Sequence, residues 1–261
     1  MINISGSVVL YALFGGLLPT FFWLWFWLQE DSRKPEPGRL IFKTFVVGSI
    51  SIVIAFVLER VFFPDPNIAD KLSDPTINLF SKEGFLIVLL PIAAWAAIEE
   101  TVKFLAAYIG ALRSRYFDEP IDGMVYLITA ALGFAAVENT LFLLNTLIES
   151  GSHVTFLFTG NLRFLGATIL HTVSSAAIGC AISLSFYQSR GKKFVSFLAG
   201  LITATVLHTL FNYFIIANKG QDIFKVLIFL WLAAILVIFL FERVKRVVNE
   251  KYIINSSPKE T

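Results

Sequence analysis

Seven apolar stretches alternate with short polar segments along this chain, at about 7–28, 41–63, 85–110, 121–148, 164–187, 194–217 and 223–241. Each is long enough to cross about 30 Å of hydrocarbon at a helical rise of about 1.5 Å per residue. The pattern predicts an all-α, polytopic transmembrane helical bundle of about seven spans. Spans three and four are long, which calls for tilt or a broken helix. The first stretch does not read as a cleaved signal peptide. Its first basic residue is Arg33, it has no small-residue cleavage site, and it is too long for a signal core. It ends in Phe21-Phe22-Trp23-Leu24-Trp25-Phe26-Trp27, an aromatic run suited to a lipid–water boundary.

Composition supports this class. Of 261 residues 56% are hydrophobic and only 15% charged, with 27 Phe and 5 Trp and a mean hydropathy of +0.74. A soluble protein of this size cannot hide so much apolar surface, so lipid is the expected solvent of its outer faces. Disordered, collagen-like, disulfide-scaffold and nucleic-acid-binding classes are excluded. The single cysteine, Cys180, allows no intrachain disulfide and sits in a stripe of small residues suited to close helix approach. Residues 1–241 read as one integral membrane domain, with the motif-bearing part at about 85–217. Residues 242–261 read as a basic cytoplasmic tail, either lying on an anionic inner leaflet or fraying as a solvated helix end.

The net charge of +2 is small, but its distribution is informative. Arg33, Lys34 and Arg39 lie in one connection, Arg113 and Arg115 in another, and Arg190, Lys192 and Lys193 in a third. Arg243, Lys245, Arg246, Lys251 and Lys259 lie in the tail. The alternate connections are poor in basic residues: Lys71 and Lys82 lie among acids in 64–84, none occurs in 149–161, and Lys219 stands alone in 218–222. This alternation predicts an external N-terminus and an internal C-terminus. The 64–84 connection, with Pro64, Pro66 and Pro75, reads as an exposed external loop.

The conspicuous residues are those the spans should not contain. Glu99, Glu100 and Lys103 lie inside span three, Glu138 and Asn139 inside span four, His171 inside span five, and His208 and Asn212 inside span six. An ionised side chain at the bilayer centre costs about 2.5–3.5 kcal/mol, so these groups must face inward and be paired or wet. Lys103 reaches Glu99 at i,i+4 and Glu100 at i,i+3. The two glutamates, about 100° apart round the helix, cannot share one place, so different roles are expected. Threading the spans up and down puts all five acids and imidazoles at similar depth, as one cluster on four helices.

Carboxylates and imidazoles together are the parts of a water-activating site. A buried Glu can take a proton from water, and a His or Asn N–H can hold the oxyanion formed on a carbonyl. Two His and a Glu are also a zinc-ligand set, here Glu100, His171 and His208. The spacing leaves both readings open. The bland alternatives are a salt bridge for Glu99, Glu100 and Lys103, and helix–helix hydrogen bonds for the histidines. Glu138 and Asn139 can act directly or brace the packing. Asp122, at the start of span four, reads as a cap or turn residue. Arg163 fits a headgroup anchor, a carboxylate partner or a substrate contact equally. Pro91 is placed to kink span three. Intramembrane Glu, Lys and His also form proton relays, but the inverted repeats usual in transporters are absent from the sequence. A non-catalytic scaffold has no reason to keep so many costly buried charges.

The ordered motifs resemble the PrsW family of intramembrane proteases, distantly related to the CAAX and bacteriocin-processing membrane proteases. The resemblance rests on Glu99-Glu100-x-x-Lys103, then Phe117-x-Glu119-Pro120-x-Asp122-Gly123-x-x-Tyr126, then Gly133-Phe134-Ala135-x-x-Glu138-Asn139. Arg163 with His171 and His208-x-x-x-Asn212 complete it. It spans about residues 95–215; spans one and seven carry no matching motif. The resemblance implies peptide-bond hydrolysis in a bacterial or archaeal cell membrane. The expected substrate is a single-span membrane protein cut near the external face, such as an anti-sigma factor undergoing site-one cleavage. Asn212 departs from the family pattern, where Asp is common, and a carboxamide cannot act as a base. The leading expectation is a metal-free, glutamate-dependent mechanism with no cofactor. In it Glu99 or Glu100 activates water, His171, His208 and Asn212 position it, and Lys103, Phe134, Glu138, Asn139, Arg163 and Asp122 support. Zinc is the alternative.

Overall fold

The computed structural model describes residues 6–32, 34–63, 81–217 and 223–247. Among them every regular element is helical. The chain folds into α1 (Gly6–Leu28), α2 (Gly38–Phe62), α3 (Leu90–Ala107), α4 (Asp122–Ser150), α5 (His153–Leu184), α6 (Arg190–Ala217) and α7 (Ile223–Val244). These are the seven expected spans. Six are long and apolar enough to cross a membrane; α3 is not among them, because Glu99, Glu100 and Lys103 interrupt its 18 residues. The expected external loop falls mostly on 64–80, and most of the basic tail on 248–261, both outside the described residues.

α4 is the central post. Its side chains are buried almost without break from Asp122 to Ala136, with α1, α2 and α5 against it. A helix segment buried on all sides has no lipid face to fill, so what it needs is close approach, and glycine supplies it. A Cβ on Gly133 would lie 2.0 Å from the Phe45 carbonyl oxygen, and one on Gly48 would lie 2.2 Å from that of Ala130. Ser49 Oγ fastens the same crossing by donating to the Gly133 carbonyl at 3.0 Å. On the other side, a Cβ on Gly179 would meet the Gly123 carbonyl at 2.8 Å, so the small-residue stripe around Cys180 packs α5 on α4. Gly133→Ala is therefore expected to push α2 off α4 and cost about 1–3 kcal/mol, an overpacking penalty. A thermal melt of the purified variant indistinguishable from wild type would contradict this crossing.

Two sequence expectations change. Residues 153–162 form the first turns of α5, not part of a loop. Gly151 ends α4 in the left-handed conformation at φ 61°, and the Ser152 hydroxyl accepts the Thr155 N–H at 3.2 Å to start α5. Stop and start are adjacent, and Thr155, Thr159 and Asn161 dilute the apolar pattern that would have revealed the helix. The aromatic run of α1 also divides. Trp25 is exposed, but Trp23 and Trp27 are buried against α7, Trp23 in a tilted contact with Trp231 and Trp27 stacked on Phe241. They serve helix packing, not the lipid boundary.

The expected irregularity of span three takes the form of π turns at Phe85–Leu89 and Tyr108–Leu112, on either side of α3. Pro91 follows the first of them. Its ring removes an N–H and crowds the carbonyl of Ile87, which a wider turn relieves. Span four, by contrast, is one continuous helix.

Candidate active site

α3, α4, α5 and α6 each bring a polar face to one buried point. Glu100 is wholly buried with both oxygens bound. Its Oε1 accepts Lys103 Nζ at 2.9 Å and His208 Nδ1 at 2.8 Å, and its Oε2 accepts the Ser175 hydroxyl at 2.9 Å. Lys103, equally buried, also lies 2.7 Å from His171 Nδ1, 3.2 Å from Glu99 Oε2 and 4.6 Å from the centre of the Phe134 ring. His171 Nε2 sits 2.9 Å from Glu138 Oε2, which also receives Arg163. Arg163 Nε donates to Asn139 Oδ1 at 2.5 Å, and Asn139 Nδ2 donates to the Thr168 hydroxyl at 2.9 Å.

The π turn at Arg163–Ala167 explains how Arg163 and His171 reach the same carboxylate. Eight residues of regular helix rotate about 800°, leaving the two side chains about 80° apart. A π turn absorbs one residue, so the rotation becomes that of seven, and the residual angle falls to about 20°.

These partners set the histidine tautomers. Ionised carboxylates only accept, so His171 carries its proton on Nε2 and His208 on Nδ1. The two remaining lone pairs, His171 Nδ1 and His208 Nε2, both lie 3.8 Å from Glu99 Oε2. That oxygen is buried and accepts no hydrogen bond. One ligand atom each from Glu99, His171 and His208 falls within 4.8 Å of the others.

Residues 36–240 match the PrsW family, described as intramembrane metalloproteases. The chain belongs to this family. It is similar to Protease PrsW of Clostridioides difficile (strain 630), 24% identical over 78% of this chain and 79% of the relative. It is also similar to that of Oceanobacillus iheyensis, 25% identical over 95% and 100%. The Protease PrsW of Bacillus subtilis (strain 168) is 22% identical over 83% and 88%. No solved structure matches. As a PrsW-family member the protein is a multi-pass intramembrane peptidase, and the transporter and scaffold readings fall away.

Within this PrsW site the two glutamates divide as their angular separation requires. Both oxygens of Glu100, the carboxylate of the ligand set expected from the sequence, are engaged by Lys103, His208 and Ser175. The carboxylate oxygen within reach of both imidazoles is Glu99 Oε2, which also faces Lys103 at 3.2 Å. A tetrahedral ion with bonds of about 2.1 Å spaces its ligand atoms by about 3.4 Å, close to the 3.8 Å edges found here. Each imidazole has its second nitrogen tied to a carboxylate, the usual support for a metal-ligating histidine. Three carboxylates, Glu99, Glu100 and Glu138, face two fixed cations, Lys103 and Arg163, which leaves an excess negative charge. The residues fit a metal ion, with Lys103 competing for the His171 lone pair.

The remaining expected residues separate. A cavity of about 380 Å³ between α4, α5 and α6 is lined by Glu138, Phe142, Arg163, His171, His208 and Asn212. Asn212 forms its wall and makes no hydrogen bond to the cluster. Asn139 and Arg163 brace Glu138, and Phe134 lies under Lys103. Asp122 is not in the site. It lies 16 residues before Glu138 on α4, about 24 Å away, and its Oδ2 accepts the N–H groups of Asp118 and Glu119 at 3.0 and 2.7 Å. It fixes a turn, as one sequence reading held.

Sequence reasoning missed Ser175, Thr168 and Glu59. Ser175 had a signal, since it lies one turn beyond His171 on the same face. Glu59 of α2 interacts electrostatically with Glu99 and Glu138 and is a charge within span two that went unremarked.

Proposed function

We propose that this protein is a metal-dependent intramembrane endopeptidase in which Glu99, His171 and His208 hold a divalent ion of the zinc class. One observation carries the reading. Two imidazoles, each held by a carboxylate through one nitrogen, turn the other nitrogen toward Glu99 Oε2 at 3.8 Å, a buried oxygen that accepts no hydrogen bond and pairs with Lys103 at 3.2 Å. When bound, such an ion polarises a carbonyl and makes water nucleophilic at neutral pH. Glu100 and Glu138 fix the two rings. Glu138 Oε2 is engaged by His171 and Arg163, and the residue lines the cavity, which leaves Oε1 as its second acceptor. That oxygen is placed to take the proton from water and return it to the leaving amine. The Asn212 carboxamide offers the substrate backbone a donor and an acceptor.

The substrate is a single-span membrane protein, and regulated site-one cleavage of an anti-sigma-factor-like protein fits. Glu138 lies about 18 Å from the Ser150 end of α4 and about 24 Å from the Asp122 end. The basic connections gather at the Asp122 end, which by the positive-inside rule supports a cavity in the external half, with the N-terminus outside and the C-terminus inside. The bacterial relatives support a bacterial cell membrane.

Elemental analysis of purified, active protein tests the metal. About one ion per chain is expected, removable by chelation together with activity and restored by zinc. A second reading rests on Lys103 Nζ, 2.7 Å from His171 Nδ1. There the ammonium supplies the positive charge and Glu99 acts as a metal-free base, as the sequence first suggested. Full cleavage by metal-free protein after exhaustive chelation would establish that reading and overturn the first.

A further inference from the structure

The connection between α1 and α2 folds against the turn that precedes α4, far from the cavity. Asp31 ends a short 3-10 turn, Gln29–Asp31, and is 4% exposed; Asp122 is 1% exposed; Glu36 is half-buried. One carboxylate oxygen of each lies within 4.8 Å of the others. Tyr126 OH donates to Glu36 Oε2, and Asp122 Oδ2 accepts the two backbone N–H groups of the turn. Asp31 Oδ2 is buried with no hydrogen-bond partner.

Nearby ammonium groups are engaged elsewhere. Lys34 Nζ lies 2.9 Å from Asp118 and 3.2 Å from Glu119, and Lys245 Nζ lies 2.8 Å from Glu30 and 2.7 Å from Glu242. Among the described residues no Lys or Arg forms an ion pair with Asp31, Glu36 or Asp122. Three carboxylates this close cannot all stay ionised without a counter-charge. A bound proton or a bound cation can relieve the strain. The buried Asp31 Oδ2, which has no hydrogen-bond partner, is an open donor atom for a cation.

We propose that Asp31, Glu36 and Asp122 form a second ion site that takes a hard divalent cation, Ca²⁺ or Mg²⁺, at the Asp122 end of α4. The donor set is all oxygen, which suits those ions and not the imidazole-preferring zinc class. The ion clamps the α1–α2 connection to the first turn of the helix that carries Glu138 and Asn139. It is thus a structural site about 24 Å along α4 from the candidate catalytic group.

Calorimetric titration of CaCl2 and MgCl2 into the full-length, chelator-stripped protein, at constant ionic strength, tests this. The Glu99→Gln variant silences the candidate active-site ion. Saturable binding of one ion and a rise in Tm are expected in both wild type and Glu99→Gln. Affinity is expected to fall about tenfold or more in Glu36→Gln and Asp31→Asn, since charge count sets affinity in such sites. Glu36 is half-buried in a connection, so Glu36→Gln carries the test alone if Asp31→Asn does not fold. No saturable binding by Glu99→Gln, or affinity unchanged in Glu36→Gln, overturns the proposal.

Discussion

Glu99→Gln is expected to lower cleavage of a co-reconstituted single-span substrate by about 10²–10⁴-fold, while the protein still folds. The substitution keeps the side chain's volume and one oxygen but removes the negative charge and one acceptor. Glu99 Oε2 is ion-paired with Lys103 at 3.2 Å, whereas both oxygens of Glu100 are held by hydrogen bonds. The Glu99 Oε2 atom accepts no hydrogen bond and faces both imidazole lone pairs at 3.8 Å. Charge at this point serves chemistry more than packing. The variant should therefore lose bound metal together with activity, and its Tm should stay near wild type. Cleavage by Glu99→Gln at the wild-type rate would sink both the metal-dependent and the metal-free mechanism, since each assigns Glu99 a part in the reaction. Loss of activity with metal retained would move the ligand role to another carboxylate.

Lys103→Met is expected to act chiefly on stability. Lys103 and Glu100 are both wholly buried and 2.9 Å apart. Removing one partner of a buried pair leaves an uncompensated charge and costs about 3–5 kcal/mol. Lys103 also faces Glu99 at 3.2 Å, so its loss leaves three carboxylates, Glu99, Glu100 and Glu138, with Arg163 as the remaining fixed cation of the cluster. The double variant Lys103→Met/Glu100→Gln is expected to regain part of that loss, because it removes the stranded charge, and a double-mutant cycle on thermal unfolding measures the coupling. A Lys103→Met protein that melts like wild type would show that water or a proton, and not this ammonium, compensates Glu100.

The contrast between these variants restates the division within the Glu99-Glu100 pair. Adjacent positions on one helix face directions about 100° apart. One glutamate is walled in by Lys103, Ser175 and His208, whereas the other opens on the space between two imidazoles. The chain order of motifs marks both residues as special but gives them equal standing. Their roles separate only when α5 supplies His171 and Ser175 and α6 supplies His208.

Much of the site was legible in one dimension because lipid makes buried charge expensive. Glu99, Glu100, Lys103, Glu138, His171 and His208 stand out against apolar neighbours, and alternating spans bring them to one depth. Ser175 and Thr168 did not stand out, because a hydroxyl costs little in a membrane helix and can bond its own backbone. Arg163 was visible, but its partner was not. Ordinary helical rotation puts it off the face of His171, and only the π turn at Arg163–Ala167 corrects the angle.

The chain's own pattern of apolar runs and basic connections settled the class, the seven helices and the handful of costly residues. Those properties depend on hydropathy and rise per residue, which are local. The tertiary structure decided which carboxylate meets both histidines, which nitrogen of each ring is free, and which cations are already engaged. Those depend on side-chain directions across helices distant in sequence, set by crossings such as Gly133 on Phe45 and Gly179 on Gly123. A rotation of one helix by a single residue would exchange the places of Glu99 and Glu100, and no local pattern fixes that angle.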